Sequence, residues 1–429
     1  MQHNKTLTLS TLALGCGAAL MTLNQPARAS GFGVPELNPA GLALSNALVA
    51  NPFSLGAIAY NPAAMSFHEG SSLSAGLVLV KPDLNVDTGS GFIESEANTT
   101  VAIPAISAHY TLNETWALGI SVNAPFGLET DWPAGTFDSQ YPAGSTIPTE
   151  SKLEVVDFSP NAAYKINENL SVSVGIDYYW MKKVVFNGDV NAGSSGSNPE
   201  ANLKGDGRGT GYNLGVLFRH GDWSFGGNYH SSSNVPIEGE VALPAGLLPS
   251  FASNKVHARL EIPSRLQLGV RNQTTEKLAL EFDLTRTGWS SFDKLVVDQN
   301  QYGTNVVTSH NAWDDAMAYR LGATYDFTPA TQLRVGYTLD KTPQGDKYFS
   351  QRIPDADRQL FSFGIGHTLD NGWTLDVGYM YAEFDKRTIE SSTPAVPGIG
   401  EETNGTTAVD GTYDSKVHMF AFGVTRHFK

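Results

Sequence analysis

The chain has 429 residues, a formal charge of −15 and one cysteine. Its 43 acidic against 28 basic residues speak against nucleic acid as a partner, because phosphate recognition needs clustered lysine and arginine. No run reaches the roughly 18 apolar residues of a membrane helix, so any membrane crossing must use strands. In chain order, residues 1–29 read as a secretory signal peptide: Lys5 supplies the positive end, Leu7 to Leu23 the apolar core, and Ala27-Arg28-Ala29 an A-x-A cleavage site. Cys16 lies inside this leader, so the mature chain has no thiol or disulfide chemistry. Removing Lys5 and Arg28 leaves 26 basic against 43 acidic residues, a charge of −17.

Residues 30–70 follow as a neutral, small-residue segment in which Glu36 is the only charge before Ser66. Such a segment could pack inside a lumen as a plug or serve as a periplasmic linker, and composition does not separate the two. From Ser71 onward about fourteen stretches alternate apolar and polar residues. Leu170, Val172, Val174, Ile176, Tyr178 and Trp180 interleave with Ser171, Ser173, Gly175, Asp177 and Tyr179. Leu278, Leu280, Phe282 and Leu284 oppose Ala279, Glu281, Asp283 and Thr285, and Phe420, Phe422, Val424 and Phe428 share a face. A period of two puts each set on one face of a strand.

The gaps choose the architecture. Tight connections at Leu112–Thr115, Ile166–Asn169, His220–Asp222, Asn272–Lys277, Thr328–Thr331 and Leu369–Gly372 alternate with long ones. The long ones fall roughly at Asp83–Asn98, Pro125–Glu150, Phe186–Asp206, Asn234–Val256, Lys294–Ala312, Lys341–Asp355 and Lys386–Thr412. Short on one rim and long on the other is the build of a bacterial outer-membrane barrel, and an even strand number suits it. The fold expected is therefore all-β: a 14-stranded antiparallel transmembrane β-barrel over residues 71–429, multi-pass in a Gram-negative outer membrane.

Specific stretches resemble the FadL family of outer-membrane transporters for long-chain fatty acids and other hydrophobic compounds. Ser30-Gly31-Phe32-Gly33 and Tyr60-Asn61-Pro62-Ala63-Ala64 look like its N-terminal hatch, Phe126-Gly127-Leu128-Glu129-Thr130 like the stretch after its third strand, and Leu260-Glu261-Ile262-Pro263 like its eighth. Trp289-Ser290-Ser291-Phe292 resembles its Trp-Ser-x-Phe and Ile353-Pro354-Asp355-Ala356-Asp357-Arg358 its Ile-Pro-Asp-x-Asp-Arg. The resemblance implies that residues 30–70 are a hatch plugging the barrel. It further implies passive transport: capture by external loops, binding in the lumen, hatch movement and sideways exit into lipid. Gly31, Phe32, Asn61, Pro62 and Ala63 are then the gating candidates. Pro104, Asn123 and Pro125 mark a candidate seam, since proline lacks the ladder donor and belongs at breaks or bulges; Pro160 is a further break, and Pro263 shows that such a proline need not be a gate.

For a fatty-acid carboxylate a lumen cation is the expected partner. Lys182 and Lys183 follow the fifth strand, one of them pointing inward by alternation, and Ser309-His310 stands where the family carries Lys-His. Lys182, Lys183, His310, Trp289 and Phe292 are the candidate substrate contacts. The missing lysine leaves room for a neutral aromatic or aliphatic hydrocarbon. Leu243, Leu247, Leu248 and Phe251 make the loop after the seventh strand apolar enough to hold grease at the surface or to pack on itself. A barrel lipase or phospholipase is the rival from another class, but no HExxH, Gly-x-Ser-x-Gly or clustered metal ligands occur. A diffusion porin would lack the hatch. No enzyme activity and no cofactor or metal are expected. The expected partners are the hydrophobic ligand, outer-membrane lipid and lipopolysaccharide, and the barrel-assembly machinery, with a monomer as the working unit; Phe428 resembles the terminal aromatic of such barrels, although Lys429 follows it.

Overall fold

The computed structural model describes residues 31–141, 143–193, 198–242, 254–299, 305–390 and 409–428. The leader with Cys16, the apolar residues Leu243, Leu247, Leu248 and Phe251, and Lys429 lie outside them.

The alternating stretches form one closed antiparallel barrel. Strands β1 (Ser71–Asp87), β2 (Val101–Thr111), β3 (Trp116–Asp131), β4 (Thr146–Asn167), β5 (Leu170–Val190) and β6 (Glu200–His220) are continuous. The next four are each split: β7 into Trp223–His230 and Ser233–Ala242, β8 into Lys255–Ile262 and Arg265–Gln273, β9 into Leu278–Thr287 and Lys294–Gln299, β10 into Asn305–His310 and Ala316–Thr328. The wall is completed by β11 (Thr331–Asp340), β12 (Arg358–Thr368), β13 (Trp373–Phe384) and β14 (Gly411–Phe428). Strand β14 closes on β1 in register from Ser71↔Phe428 to Asp87↔Thr412.

The expected long connections are partly strand. Strands β4, β5 and β6 run for 22, 21 and 21 residues, about twice the 9–11 needed to cross a bilayer, so their ends stand above the membrane as paired ribbons. The span expected as a loop over Phe186–Asp206 is thus mostly ladder, as is much of Lys294–Ala312. Above the breaks, the upper halves of β7, β8, β9 and β10 pair with one another and with upper β6, while the lower halves continue the barrel.

The two faces separate as the alternation requires. Val174, Ile176, Leu268, Phe363, Val377 and Phe422 are exposed outward, where a bilayer covers them. Asp177, Asn213, Glu281, Asp283 and Arg320 turn inward and are buried, because residues 31–70 fill the lumen below the breaks. This hatch holds one short helix, α1 (Pro39–Ala43), and two 3₁₀ turns, Leu55–Ala59 and Pro62–Phe67. Asn-Pro-Ala occurs twice, and each time it starts a helical turn. Asn38 Oδ1 accepts from the Gly41 N–H and Asn61 Oδ1 from the Ala63 N–H, with proline at the first helical position, where its missing donor costs nothing. The hatch lies directly on the wall at glycines: a Cβ at Gly226 would overlap the Val49 carbonyl, and one at Gly336 the backbone of Leu44.

A candidate ligand site at the hatch and the broken wall

The breaks in β7–β10 turn side chains into the lumen that an unbroken ladder would not place there. Gly288 ends the lower half of β9, and the 3₁₀ turn Trp289–Ser291 carries Trp289 and then Phe292 inward. Across the next break comes Trp313. From the hatch, Phe32 enters the ring of these three: its centroid is 4.4 Å from Trp289, 5.5 Å from Phe292 and 6.0 Å from Trp313, all but the last edge-on. Phe126 of β3 joins at 6.1 Å, with Tyr179 beside it. Leu153, Met181, Ile237 and Ile262 complete an apolar chamber buried at the level of the breaks. Both indole N–H groups are buried and lack a hydrogen-bond partner among the described residues, although buried tryptophans usually find one.

A seam opens beside this chamber. Strand β2 pairs with β1 along Val101–Tyr110, but with β3 only from Ile106↔Val122 downward. Asn123–Asp131 of β3 therefore pairs with β4 alone on the wall. A bulge at Ala124-Pro125 starts the departure: Asn123 and Phe126 are three residues apart, while their β4 partners Asp157 and Val155 are two. The hatch covers the freed edge. The Val34 N–H donates to the Pro125 carbonyl at 2.8 Å, the Gly127 N–H to the Phe32 carbonyl at 3.0 Å, and Gly33 bridges Phe126. One three-residue segment thus fills the chamber and seals the seam.

The gating candidates occupy distinct posts. The Gly31 N–H donates to Asp355 Oδ2 at 3.1 Å, and Asp355 also accepts from the Thr342 hydroxyl at 2.6 Å. Asp355 is buried under the external loop, and burial pushes its carboxyl up to about 6. Asn61, Pro62 and Ala63 sit low in the barrel, fully buried. Asn61 Nδ2 donates to the carbonyls of Val49 at 2.8 Å and Val216 at 2.9 Å, tying the hatch to itself and to β6. Of the seam candidates, Pro104 lies opposite Leu77 just above the last β2–β3 pair, and Asn123 and Pro125 bracket the bulge. Pro160 lies within β4 opposite Ile120 of β3, and Pro263 lies in the break of β8. A cavity of about 210 Å³ between hatch and wall reaches from Phe53 past Arg334 and Ser74 to Ile106 and Asn123, at the foot of the seam.

Of the expected substrate contacts, Trp289 and Phe292 line the chamber and the three basic candidates do not. Lys182 shares the outer face with Tyr178 and Trp180, and its ammonium pairs with Glu154 at 2.8 Å, half-exposed. Lys183, beside the bulge between Met181 and Val184, is not a member of the apolar cluster. His310 packs near Tyr348 of the external loop at 6.1 Å, opposite Lys294 in the upper sheet.

A family model for the outer membrane protein transport proteins (OMPP1/FadL/TodX) matches residues 20–428. This chain belongs to the FadL family. It is 25% identical over 418 residues to a long-chain fatty acid transport protein of Salmonella typhi, covering 89% of this chain and 93% of that one. The fold is that of a Pseudomonas aeruginosa FadL homologue, with a TM-score of 0.78 at 20% identity over 93% of this chain and 100% of the other. It is also that of the Pseudomonas putida toluene transporter TodX, with a TM-score of 0.67 at 16% identity over 94% and 99%. Family membership makes the chain an outer-membrane transporter of hydrophobic compounds, not an enzyme.

Of the chamber residues, Tyr179 and Trp313 were not proposed as site residues from sequence, and Phe126 was singled out only within the Phe126–Thr130 stretch. Arg265 begins the lower half of β8 just beneath the break, in register with His230 on one side and Thr287 on the other. Alternation against the exposed Leu266 and Leu268 puts it on the lumen face. The polar floor around it includes Asp177, which accepts from Ser159 and Asn213 at 2.8 Å and pairs with His230 at 2.9 Å.

Proposed function

We propose that the aromatic chamber is the lumen binding site, that long-chain fatty acids are its ligand, and that displacement of the Phe32–Val34 segment couples binding to exit. The carrying observation is that this one segment fills the chamber and also pairs with the edge of β3. An apolar tail entering from the external loops competes with Phe32 for the same surface. Burying one phenylalanine contributes roughly 1.5–3 kcal/mol and each methylene about 0.8 kcal/mol, so about four methylenes match Phe32 and a long tail exceeds it. Leaving the chamber, the segment frees β3, and the ligand passes sideways between β2 and β3 into lipid without crossing the polar lower lumen. The long-chain fatty acid transport protein among the relatives supports the ligand assignment. A neutral hydrocarbon is the second reading, favoured by the wholly apolar, aromatic-rich wall and the absence of Lys182, Lys183 and His310 from it.

The test is a reversible staple. Gly33→Cys with Phe126→Cys places two thiols at paired positions of hatch and seam in a mature chain expected to hold no other cysteine. Oxidation is expected to stop uptake of labelled oleate by cells expressing the variant, and reductant to restore it. Uptake that continues through the formed disulfide would overturn the mechanism. Toluene as competitor separates the two ligand readings, since only a hydrocarbon site yields to it.

A further inference from the structure

The lower end of the hatch carries a cluster that neither the chamber nor the seam involves. Residues His68 to Gly70 join the last hatch turn to β1, and two histidines of the wall face this joint. Ser72 of β1 stands in register with His109 of β2 on one side and His427 of β14 on the other. Directly opposed residues share a face, so the three side chains form one row across the strands where the barrel closes. His68 lies over that row, its ring centroid 5.9 Å from that of His109. Three bonds tie joint to wall. Thr111 Oγ1 donates to the His68 carbonyl at 2.8 Å, the Thr111 N–H to the Gly70 carbonyl at 2.8 Å, and His427 Nε2 to the Glu69 carbonyl at 2.7 Å.

The imidazoles tolerate one another here only while they are neutral. His109 shares a hydrogen with the Ser72 hydroxyl through Nδ1 at 2.6 Å, and His68 bonds the backbone of Ser54. The Nε2 atom of each is buried and has no hydrogen-bond partner among the described residues. The charges that act on His68 are those of His109 and His427. Around the turn above it, β3, β4 and β6 present Ala117, Ala163 and Leu217. Arg219 of β6, over Phe67 at 5.2 Å, is one more cation, while Glu69, the acid of the joint, is exposed. A proton on either buried ring therefore meets desolvation without a buried anion, and it raises the cost of the next proton.

We infer that this histidine row is an acid-operated latch on the periplasmic mouth: protonation frees His68–Gly70 from β2 and β14 and opens a water path beside the hatch. The ladders on both sides of Ser72 hold His109 and His427 in place, so repulsion moves the one partner that belongs to no strand, His68. The latch works at the opposite end of the hatch from the Phe32–Val34 segment and needs no ligand, so it stands apart from the reading of the chamber. Burial holds His68 down at about 4 against an ordinary 6.5. Its contribution to docking is therefore whole above 6.5 and is lost as the pH falls towards 4.

The test reads the single-channel leak of the full chain in planar bilayers at pH 7.5 and pH 5. The quantity is the leak at pH 5 over that at pH 7.5, wild type divided by variant, which cancels every titration the two share. His68→Asn keeps a donor for Ser54 and takes no charge. Its quotient is expected to reach up to roughly 30-fold, as a group moved from 6.5 to about 4 gives at pH 5. His109→Glu sets a carboxylate against His68, so acid should tighten the joint, and this variant's leak should fall on acidification relative to that of His68→Asn. A purely structural role for His109 would not reverse the sign. A quotient near 1 for His68→Asn overturns the inference. If that variant leaks freely at both pH values, His109→Glu decides: an acid response as steep as that of wild type overturns the latch, and a reversed one upholds it.

Discussion

Asn61 shows how much of the hatch rests on single side chains. Its amide is fully buried and uses both ends: Nδ2 donates to two carbonyls, Val49 in the hatch and Val216 in β6, and Oδ1 caps the turn at Ala63. Truncation to alanine takes the side-chain donor from the buried Val49 carbonyl at about 1–3 kcal/mol, removes a second donor from the ladder carbonyl of Val216, and removes a cap worth about 1 kcal/mol. Asn61→Ala should therefore loosen the lower hatch by about 2–4 kcal/mol and raise the ion leak of single channels in planar bilayers. Asn61→Asp is the sharper variant. It conserves shape but aims an acceptor at two carbonyl oxygens, so its leak should exceed that of Asn61→Ala. A quiet channel in both variants would mean that Asn61 stabilises only the local turn.

At the scale of elements the decisive features are irregular ones. The bulge at Ala124-Pro125 gives β3 one extra residue against β4, and above it the ladder to β2 is absent. Deleting Pro125 restores equal spacing between Asn123 and Phe126 and removes the Val34 acceptor at once. The expected result is a seam closed by strand pairing: ligand binding in detergent within a few-fold of wild type, with uptake by cells falling on the order of tenfold or more, as for loss of one obligatory path. Unaltered uptake would send the exit elsewhere. Regular features were legible in the sequence because a period of two is local: the turns at Leu112–Thr115, His220–Asp222 and Leu369–Gly372 fall where Asn, Asp, Gly and Thr put them. The bulges were not: alternation from Tyr178 and Trp180 already sets Lys182 outward, and the register shift between Met181 and Val184 is what leaves Lys183 without an assigned face. The breaks were half-visible: Pro263 and Gly288 announce two of them, whereas Ser231-Ser232 carries no such signal. The aromatic ring of the chamber is assembled from β3, β5, the β9 and β10 breaks and the hatch, distant in sequence, so its residues could be named singly, as Trp289 and Phe292 were, but not as a set.

For the molecule as a whole, the proposed mechanism makes transport depend on an equilibrium between a docked and a withdrawn hatch, and proton binding then biases it from both ends. At the upper end Asp355 accepts from Gly31 while burial holds its carboxyl at about 6, with Arg358, the Thr342 hydroxyl and the Gly31 N–H pulling down and Asp340 pushing up. A carboxyl raised in the docked state binds its proton more tightly there. Its contribution to docking is fully present below the ordinary carboxylate value near 4 and is lost as pH rises through about 6, with an upper size of roughly 2–3 kcal/mol. Buried Glu36, within the hatch, is raised by burial and acts in the same direction. At the lower end His68 opposes them: burial holds it down at about 4, so protonation below its ordinary value of 6.5 favours release. The wild-type leak alone therefore mixes two signs, and a difference isolates one. Asp355→Asn keeps an acceptor for the Gly31 N–H and removes the titration. At pH 5 its single-channel leak should lie nearer to that of wild type than at pH 7.5, where it should be clearly the smaller of the two, since wild type then holds a buried charge that the variant lacks. A wild-type-to-variant ratio that stays flat from pH 5 to 7.5 would detach Asp355 from hatch docking, and one that falls with pH would reverse its sign.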